Sequence, residues 1–159
     1  SNMNIVRIMK AVAFAAMALL ALSCDNNDMS QPEEPQLEVN ANNISGYWEL
    51  VEWNGAPMAD GTYVYLNIFR NDRTYAMYHN IDSFGDVPHV VRGSYYIDMD
   101  VELGAVIRGN YDHDSGDWAH RYVVKSLTAS TMVWVAKDDE SFVQVFGRID
   151  EIPVEPQEN

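Results

Sequence analysis

The chain has 159 residues, and its 10 Lys and Arg against 24 Asp and Glu give a formal net charge of −14. This acidic balance argues against binding to nucleic acid or electrostatic binding to anionic lipid, because both partners are themselves negative. The chain has one cysteine, Cys24, which excludes an internal disulfide and a multi-cysteine metal site.

The N-terminal segment has the pattern of an export signal. Arg7 and Lys10 lead into an uncharged, apolar run over residues 11–22. A basic start before an apolar run of about a dozen residues is typical of a signal peptide, and a spanning helix needs roughly 20. The run ends at Ser23 and Cys24, and small residues before a cysteine resemble a bacterial lipobox, in which that cysteine is lipidated. We therefore predict that residues 1–23 are two cloning-derived residues and a lipoprotein signal peptide, and that Cys24 carries the lipid. A free thiol at a simple cleavage site and an uncleaved N-terminal helix are the alternatives.

Residues 24–43 are predicted to form a flexible acidic tether, since the segment is polar, carries Pro32 and Pro35 and has too little apolar content to bury a core. The tether is either a simple spacer or a sorting signal. Acidic residues after the lipidated cysteine resemble surface-export signals of Bacteroidetes lipoproteins, whereas Asp25 alone would indicate inner-membrane retention by enterobacterial rules. We expect an exported, membrane-anchored lipoprotein of the outer membrane, facing the periplasm or the surface.

One domain is expected over residues 44–153, followed by a disordered tail at 154–159. Short segments rich in Val, Ile, Tyr, Trp and Thr alternate with clusters of Gly, Asp, Asn and Ser, which is typical of strands and turns. The predicted strands are Gly46–Trp53, Thr62–Phe69, Thr74–Asn80, Val90–Ile97, Val101–Gly109, His120–Leu127, Thr131–Lys137 and Ser141–Ile149.

The short connections between these strands predict an all-β fold, an antiparallel up-and-down barrel of about eight strands. One such connection is expected at residues 98–100. Alternating residues should share a face of each strand. The predicted faces include Trp48 with Leu50; Val101, Leu103, Ala105 and Ile107; Met132, Trp134 and Ala136; and Val143, Val145, Gly147 and Ile149.

Two short motifs near the ends of the domain resemble lipocalins. Gly46-Tyr47-Trp48 opens the first strand, as Gly-x-Trp does in that family, and Arg148 closes the last strand. The resemblance implies that Arg148 packs across Trp48 and closes the base of the barrel, a cation–π contact of about 0.5–2 kcal/mol. With the similar middle segments Gly93–Ile97 and Ser126–Met132, the chain is identified as a lipocalin-like, calycin-type lipoprotein similar to those of Bacteroidetes.

The polar clusters give no strong candidate for chemistry. Asp112, Asp114 and Asp117 resemble part of a calcium loop, but the closing glutamate is missing and the segment lies between strands, so a solvated turn is the preferred interpretation. The four histidines show no metal-ligand spacing along the chain. Because there is no nucleophile elbow and no glycine-rich phosphate loop, we predict a protein that is not an enzyme and uses no cofactor.

The aromatic content of the domain suggests a ligand pocket at the open end of the barrel. The candidate lining residues are Tyr75, Met77, Tyr95, Tyr122, Met132 and Trp134. Two functions follow: binding of a small hydrophobic or amphipathic ligand in the cup, or a non-enzymatic interaction module with a filled barrel that contacts a protein or a glycan. A cavity of roughly 300 Å³ or more would favour the first.

Overall fold

The computed structural model describes residues 34–82 and 88–154. Its elements are one short helix, α1 (Ala41–Ile44), and the strands β1 (Gly46–Trp53), β2 (Ala56–Pro57), β3 (Val64–Ile68), β4 (Thr74–His79), β5 (His89–Asp100), β6 (Gly104–Tyr111), β7 (Tyr122–Leu127), β8 (Thr131–Ala136) and β9 (Asp139–Ile149).

The strands form one antiparallel sheet that closes on itself. Each strand from β3 to β8 pairs with the strand that follows it in the chain. β1 pairs with β3 on one side and with β9 on the other, which closes the sheet. The two-residue strand β2 only extends the edge at the end of β1. The molecule is therefore a closed eight-stranded up-and-down barrel with one extra strand, which confirms the predicted fold class.

The turn between β5 and β6 differs from the prediction. The hairpin is closed at Asp100 and Gly104, so the turn is made by residues 101–103 rather than 98–100. The Asp100 carboxylate accepts hydrogen bonds from the backbone N–H groups of Glu102 and Leu103, and Gly104 has a φ of +87°, which glycine adopts without strain. Val101, predicted to lie on an apolar strand face, is fully exposed at the tip.

The face of β9 on which Val143 and Val145 are predicted to lie together is the outer one, and the inner face carries the residues between them. Phe142, Gln144 and Phe146 point into the barrel, and Phe146 is buried. Because residues two apart share a face, Val143 and Val145 point outward. Both faces of this strand are apolar in sequence, so alternation alone does not distinguish them.

The end of the predicted tether packs against the barrel. The N–H of Leu37 donates to the carbonyl of Leu127, and the Gln36 side chain bonds both Ser126 and the Leu127 backbone. Leu37 and Val39 also pack on the core. The compact unit therefore begins near residue 35, ahead of the predicted boundary at 44.

In the described residues, no helix is both long enough and apolar enough to cross a membrane. The predicted signal peptide, Cys24 and the tail beyond residue 154 lie outside the described residues.

Candidate functional site

A cavity of about 340 Å³ opens at the end of the barrel opposite Trp48. Half of its sixteen lining residues are Trp, Tyr or Phe, and among the described residues that line it there is no Asp, Glu, Lys or Arg. The wall is therefore apolar and aromatic. The aromatic lining residues are Trp53, Tyr75, Tyr111, Trp118, Tyr122, Trp134, Phe142 and Phe146; the others are Leu50, Val64, Leu66, Met77, Ile81, Ala119, His120 and Gln144.

Trp118, in the connection between β6 and β7, is the centre of this aromatic wall. Its ring stacks on Trp134 with centroids 6.0 Å apart and meets the ring of Tyr75 edge-on at 5.3 Å. Its indole N–H donates to the Tyr75 hydroxyl at 2.8 Å, and that hydroxyl donates to the Asn110 carbonyl at 3.1 Å. The hydrogen bonds fix both rings in one orientation, so the wall of the cavity is preorganised.

Two glycines make room for these rings. A Cβ atom at Gly109 would overlap the Trp118 ring, and one at Gly93 would lie 2.7 Å from the Tyr75 hydroxyl oxygen. The Tyr75 hydroxyl and the Trp118 ring can therefore approach the backbone of β5 and β6 this closely only because these positions have no side chain.

The two buried tyrosines of the wall, Tyr75 and Tyr122, are neutral at physiological pH. Burial raises the pKa of Tyr75 to about 12, although the hydrogen bond from Trp118 opposes the shift. Burial likewise raises the pKa of Tyr122 to about 12. Their hydroxyl groups are therefore uncharged hydrogen-bonding groups in an apolar surrounding.

The structure brings together four of the six predicted lining residues. Tyr75, Met77, Tyr122 and Trp134 line the cavity. Tyr95 and Met132 do not: both are fully buried, and Tyr95 donates to the Phe69 carbonyl at 3.4 Å near the closed end. They lie on the inward face, as the alternation indicates, but too far down the barrel to reach the cavity.

The sequence interpretation missed other lining residues. Phe142 and Gln144 share a face with Phe146, so the pattern of β9 contains this signal if the inward face is assigned correctly. Trp118 and His120 lie outside the strands, in an irregular connection whose path cannot be inferred from periodicity.

Trp48 and Arg148, the pair expected at the base, are in contact. The Arg148 guanidinium carbon lies 4.2 Å from the centroid of the Trp48 ring. The guanidinium also donates to three backbone carbonyls, those of Asn43, Ser45 and Ala129, at 2.7–2.9 Å. The side chain thus joins β9 to the segment before β1 and to the β7–β8 turn.

The aspartates of the weak calcium candidate do not converge. Asp112, Asp114 and Asp117 lie in a turn in which His113 and Asp114 adopt left-handed backbone angles. They do not form a group of metal-ligand atoms within 4.8 Å of one another. The one such group in the described parts of the chain is His79, Asp82 and His89, which the spacing of histidines in the sequence did not reveal.

A model of the lipocalin-like domain family matches residues 44–134, more than half of the chain. The protein therefore belongs to the lipocalin-like domain family, as the two motifs indicated. The match ends at Trp134, so β9 and its Arg148 lie beyond it. No curated protein and no solved structure matched the chain.

Proposed function

We propose that this protein binds a small, uncharged, flat molecule, aromatic or otherwise apolar, in the cavity at the open end of the barrel. The observation that carries the proposal is the cavity of about 340 Å³ with its wall of aromatic rings. Ligand sites are concave and mostly apolar, with a few polar groups that orient the ligand, and their volumes begin at about 300 Å³.

The chemistry of the wall supports a flat and uncharged ligand. The rings of Trp118 and Trp134 lie at an interplanar angle of 28°, and their faces favour stacking with another ring system. A charged ligand would lose its hydration without gaining a counter-charge from the wall. The neutral Tyr122 hydroxyl and the Gln144 amide are polar groups that can orient the ligand by hydrogen bonding.

The alternative function, an interaction module, has one observation in its favour. The tip of the β5–β6 hairpin exposes Met99, Val101 and Leu103 to solvent, and exposed apolar side chains of this kind occur at protein contacts. An interaction module of this kind is expected to have a filled barrel, however, and the open cavity favours the ligand-binding function.

The experiment is a binding screen on the purified protein. Planar aromatic compounds, fatty acids and haem-like macrocycles would be tested by thermal shift and by quenching of tryptophan fluorescence. Because a ligand that binds only the native state raises stability by mass action, we expect saturable stabilisation with at least one planar aromatic compound and none with its charged analogue. Absence of any shift across the screen would contradict the proposal.

We further propose that the protein is exported and held at the outer membrane by a lipid on Cys24. The support is the basic and apolar run that precedes the only cysteine of the chain. The compact unit begins near Pro35, so the eleven residue-to-residue steps from Cys24 to this point span at most about 40 Å. A barrel anchored in this way would bind its ligand close to a membrane.

The anchor is tested by Cys24→Ala in the full chain, expressed in a bacterium and fractionated. We expect the unchanged protein in the outer-membrane fraction and the variant in the soluble fraction, with the barrel still folded. A variant that stays with the membrane would show that the apolar N-terminal run is retained as an anchor.

A further inference from the structure

Two histidines face each other at the open end of the barrel. His79, the last residue of β4, pairs directly with His89, the first residue of β5, so both side chains lie on the same face of the sheet. Asp82 lies in the turn after β4. Its carboxylate oxygen Oδ1 is 2.9 Å from Nδ1 of His89 and 3.6 Å from Nδ1 of His79.

His79 is a buried polar side chain whose Nδ1 nitrogen has no hydrogen-bond partner in the part of the chain that the structure describes. The His79 side chain is 6% exposed, and its Nδ1 atom makes no hydrogen bond with any described residue. The 3.6 Å separation from Asp82 is too long for one. An unsatisfied buried nitrogen costs free energy, so a simple structural role does not account for this arrangement.

We propose that His79, Asp82 and His89 bind a divalent transition-metal ion, with zinc as the representative, at the rim of the cavity. Two imidazole nitrogens and one carboxylate oxygen are a donor set that zinc prefers, whereas calcium takes oxygen ligands. The ion would supply the partner that Nδ1 of His79 lacks.

The separations of the donor atoms fit a bound ion. Zinc–ligand bonds of about 2.0–2.1 Å in a tetrahedron place neighbouring donor atoms about 3.4 Å apart. The two separations between Oδ1 of Asp82 and the histidine Nδ1 atoms, 2.9 and 3.6 Å, lie on either side of this value, and each of the three residues offers one donor atom within 4.8 Å of the others. Only small side-chain movements are needed to bind the ion.

The protonation state of His79 also suits a ligand. Burial lowers the pKa of His79 from its ordinary value, with His89 adding to the effect and Asp82 opposing it. Burial therefore favours the neutral imidazole, which is the form whose nitrogen lone pair binds metal ions.

The position of the site links it to the cavity. His79 lies between Met77 and Ile81, which both line the cavity, and it pairs with Val64 of the same wall. Three protein ligands leave one position of a tetrahedral ion for water or for a donor atom of another molecule.

The test is a calorimetric titration of zinc chloride into purified protein that carries no histidine tag. Excess magnesium is present to occupy weak sites on the acidic surface. We expect one zinc ion per chain, with an affinity at least about ten-fold weaker in Asp82→Asn and in His89→Ala. The replaced side chains of His89 and Asp82 are 49% and 63% exposed, so these variants should fold.

His113→Asn is the matched control, because it removes an exposed histidine from outside the cluster and asparagine accepts its left-handed backbone. Its zinc affinity should equal that of the unchanged protein. Cobalt provides a second measurement, since the bound ion should give a visible absorption band that His89→Ala lacks. Absence of saturable zinc binding, or equal affinity in His89→Ala, would overturn the proposal. Neither result bears on the aromatic-ligand screen, which is performed without metal.

Discussion

The two ends of the barrel each contain a buried tryptophan, and the two differ in how their polar atoms are satisfied. At the base, the indole N–H of Trp48 donates to the Ile44 carbonyl at 2.9 Å, and Arg148 covers the ring. At the open end, the indole nitrogen of Trp134 is buried and has no hydrogen-bond partner among the described residues. His79 at the rim is unsatisfied in the same way.

The difference shows that the base holds the fold together and that the open end is less optimised for stability. Packing and hydrogen bonds at the base leave little space, whereas the open end keeps a cavity whose wall lacks contacts on one side. Proteins commonly give up stability where a site must bind something. The predictions below test this contrast, beginning with the largest effect.

Trp48→Ala should lower the free energy of unfolding by about 3–5 kcal/mol, because it leaves a large cavity at a fully buried position. Denaturant unfolding followed by circular dichroism measures the loss. Tyr47→Ala is the control on the outer side of the same strand, where the side chain is 36% exposed, and should cost far less. A near-neutral Trp48→Ala would contradict the assignment of the base.

Arg148→Gln should cost about 2–3 kcal/mol, since three carbonyls lose a charged donor and the Trp48 ring loses its cation. Arg108→Gln is the matched control. Arg108 also lies over a ring, that of Tyr96 at 4.4 Å, but it is on the surface, where solvent screens such contacts. Equal losses in the two variants would mean that Arg148 has no special role at the base.

Trp134→Phe should be less destabilising than Trp48→Phe by about 1 kcal/mol or more. Both changes shrink a ring, but the first removes an unpartnered donor and the second breaks a hydrogen bond. The same unfolding assay compares the pair. If both variants lose the same stability, the contrast between the two ends is wrong.

Raising the pH should destabilise the protein through Tyr75 and Tyr122. In the unfolded chain they ionise near the ordinary tyrosine pKa of about 10, and in the barrel near 12. The unfolded state therefore loses protons first. The contribution of the two tyrosines to the free energy of unfolding is intact below pH about 10 and is lost as the pH rises through about 12. Tyrosinate absorbance of the folded protein should show at least two of the nine tyrosines still protonated when the others have ionised. Complete ionisation near pH 10 without unfolding would contradict the burial of this pair.

The sequence predicts the base better than it predicts the open end. Trp48 and Arg148 lie on regular strands, paired directly with one another, so alternation and a family resemblance locate them. The cavity depends on features without a periodic signal: the irregular connection that carries Trp118, the face of β9, and the depth of each residue along the barrel. The sequence predicts Tyr95 and Met132 in the cavity because alternation gives the face of a strand and not the depth of a residue along the barrel.

The histidine cluster shows a related limit. His79 and His89 are ten residues apart, a separation that predicts no metal site. The antiparallel register of β4 and β5 makes them direct neighbours, and register is set by the whole sheet.

The most direct test of the binding function is a titration with N-phenyl-naphthylamine, an uncharged aromatic dye whose fluorescence rises in apolar surroundings. Two variants place the same large ring on opposite faces of β9: Gln144→Trp inside the cavity and Val145→Trp outside it. Circular dichroism must first show that both are folded. We predict saturable binding of one dye molecule to the unchanged protein and to Val145→Trp. In Gln144→Trp the affinity should be at least about ten-fold weaker. Equal binding by Gln144→Trp, or no saturable binding to the unchanged protein, would contradict a ligand site in the barrel.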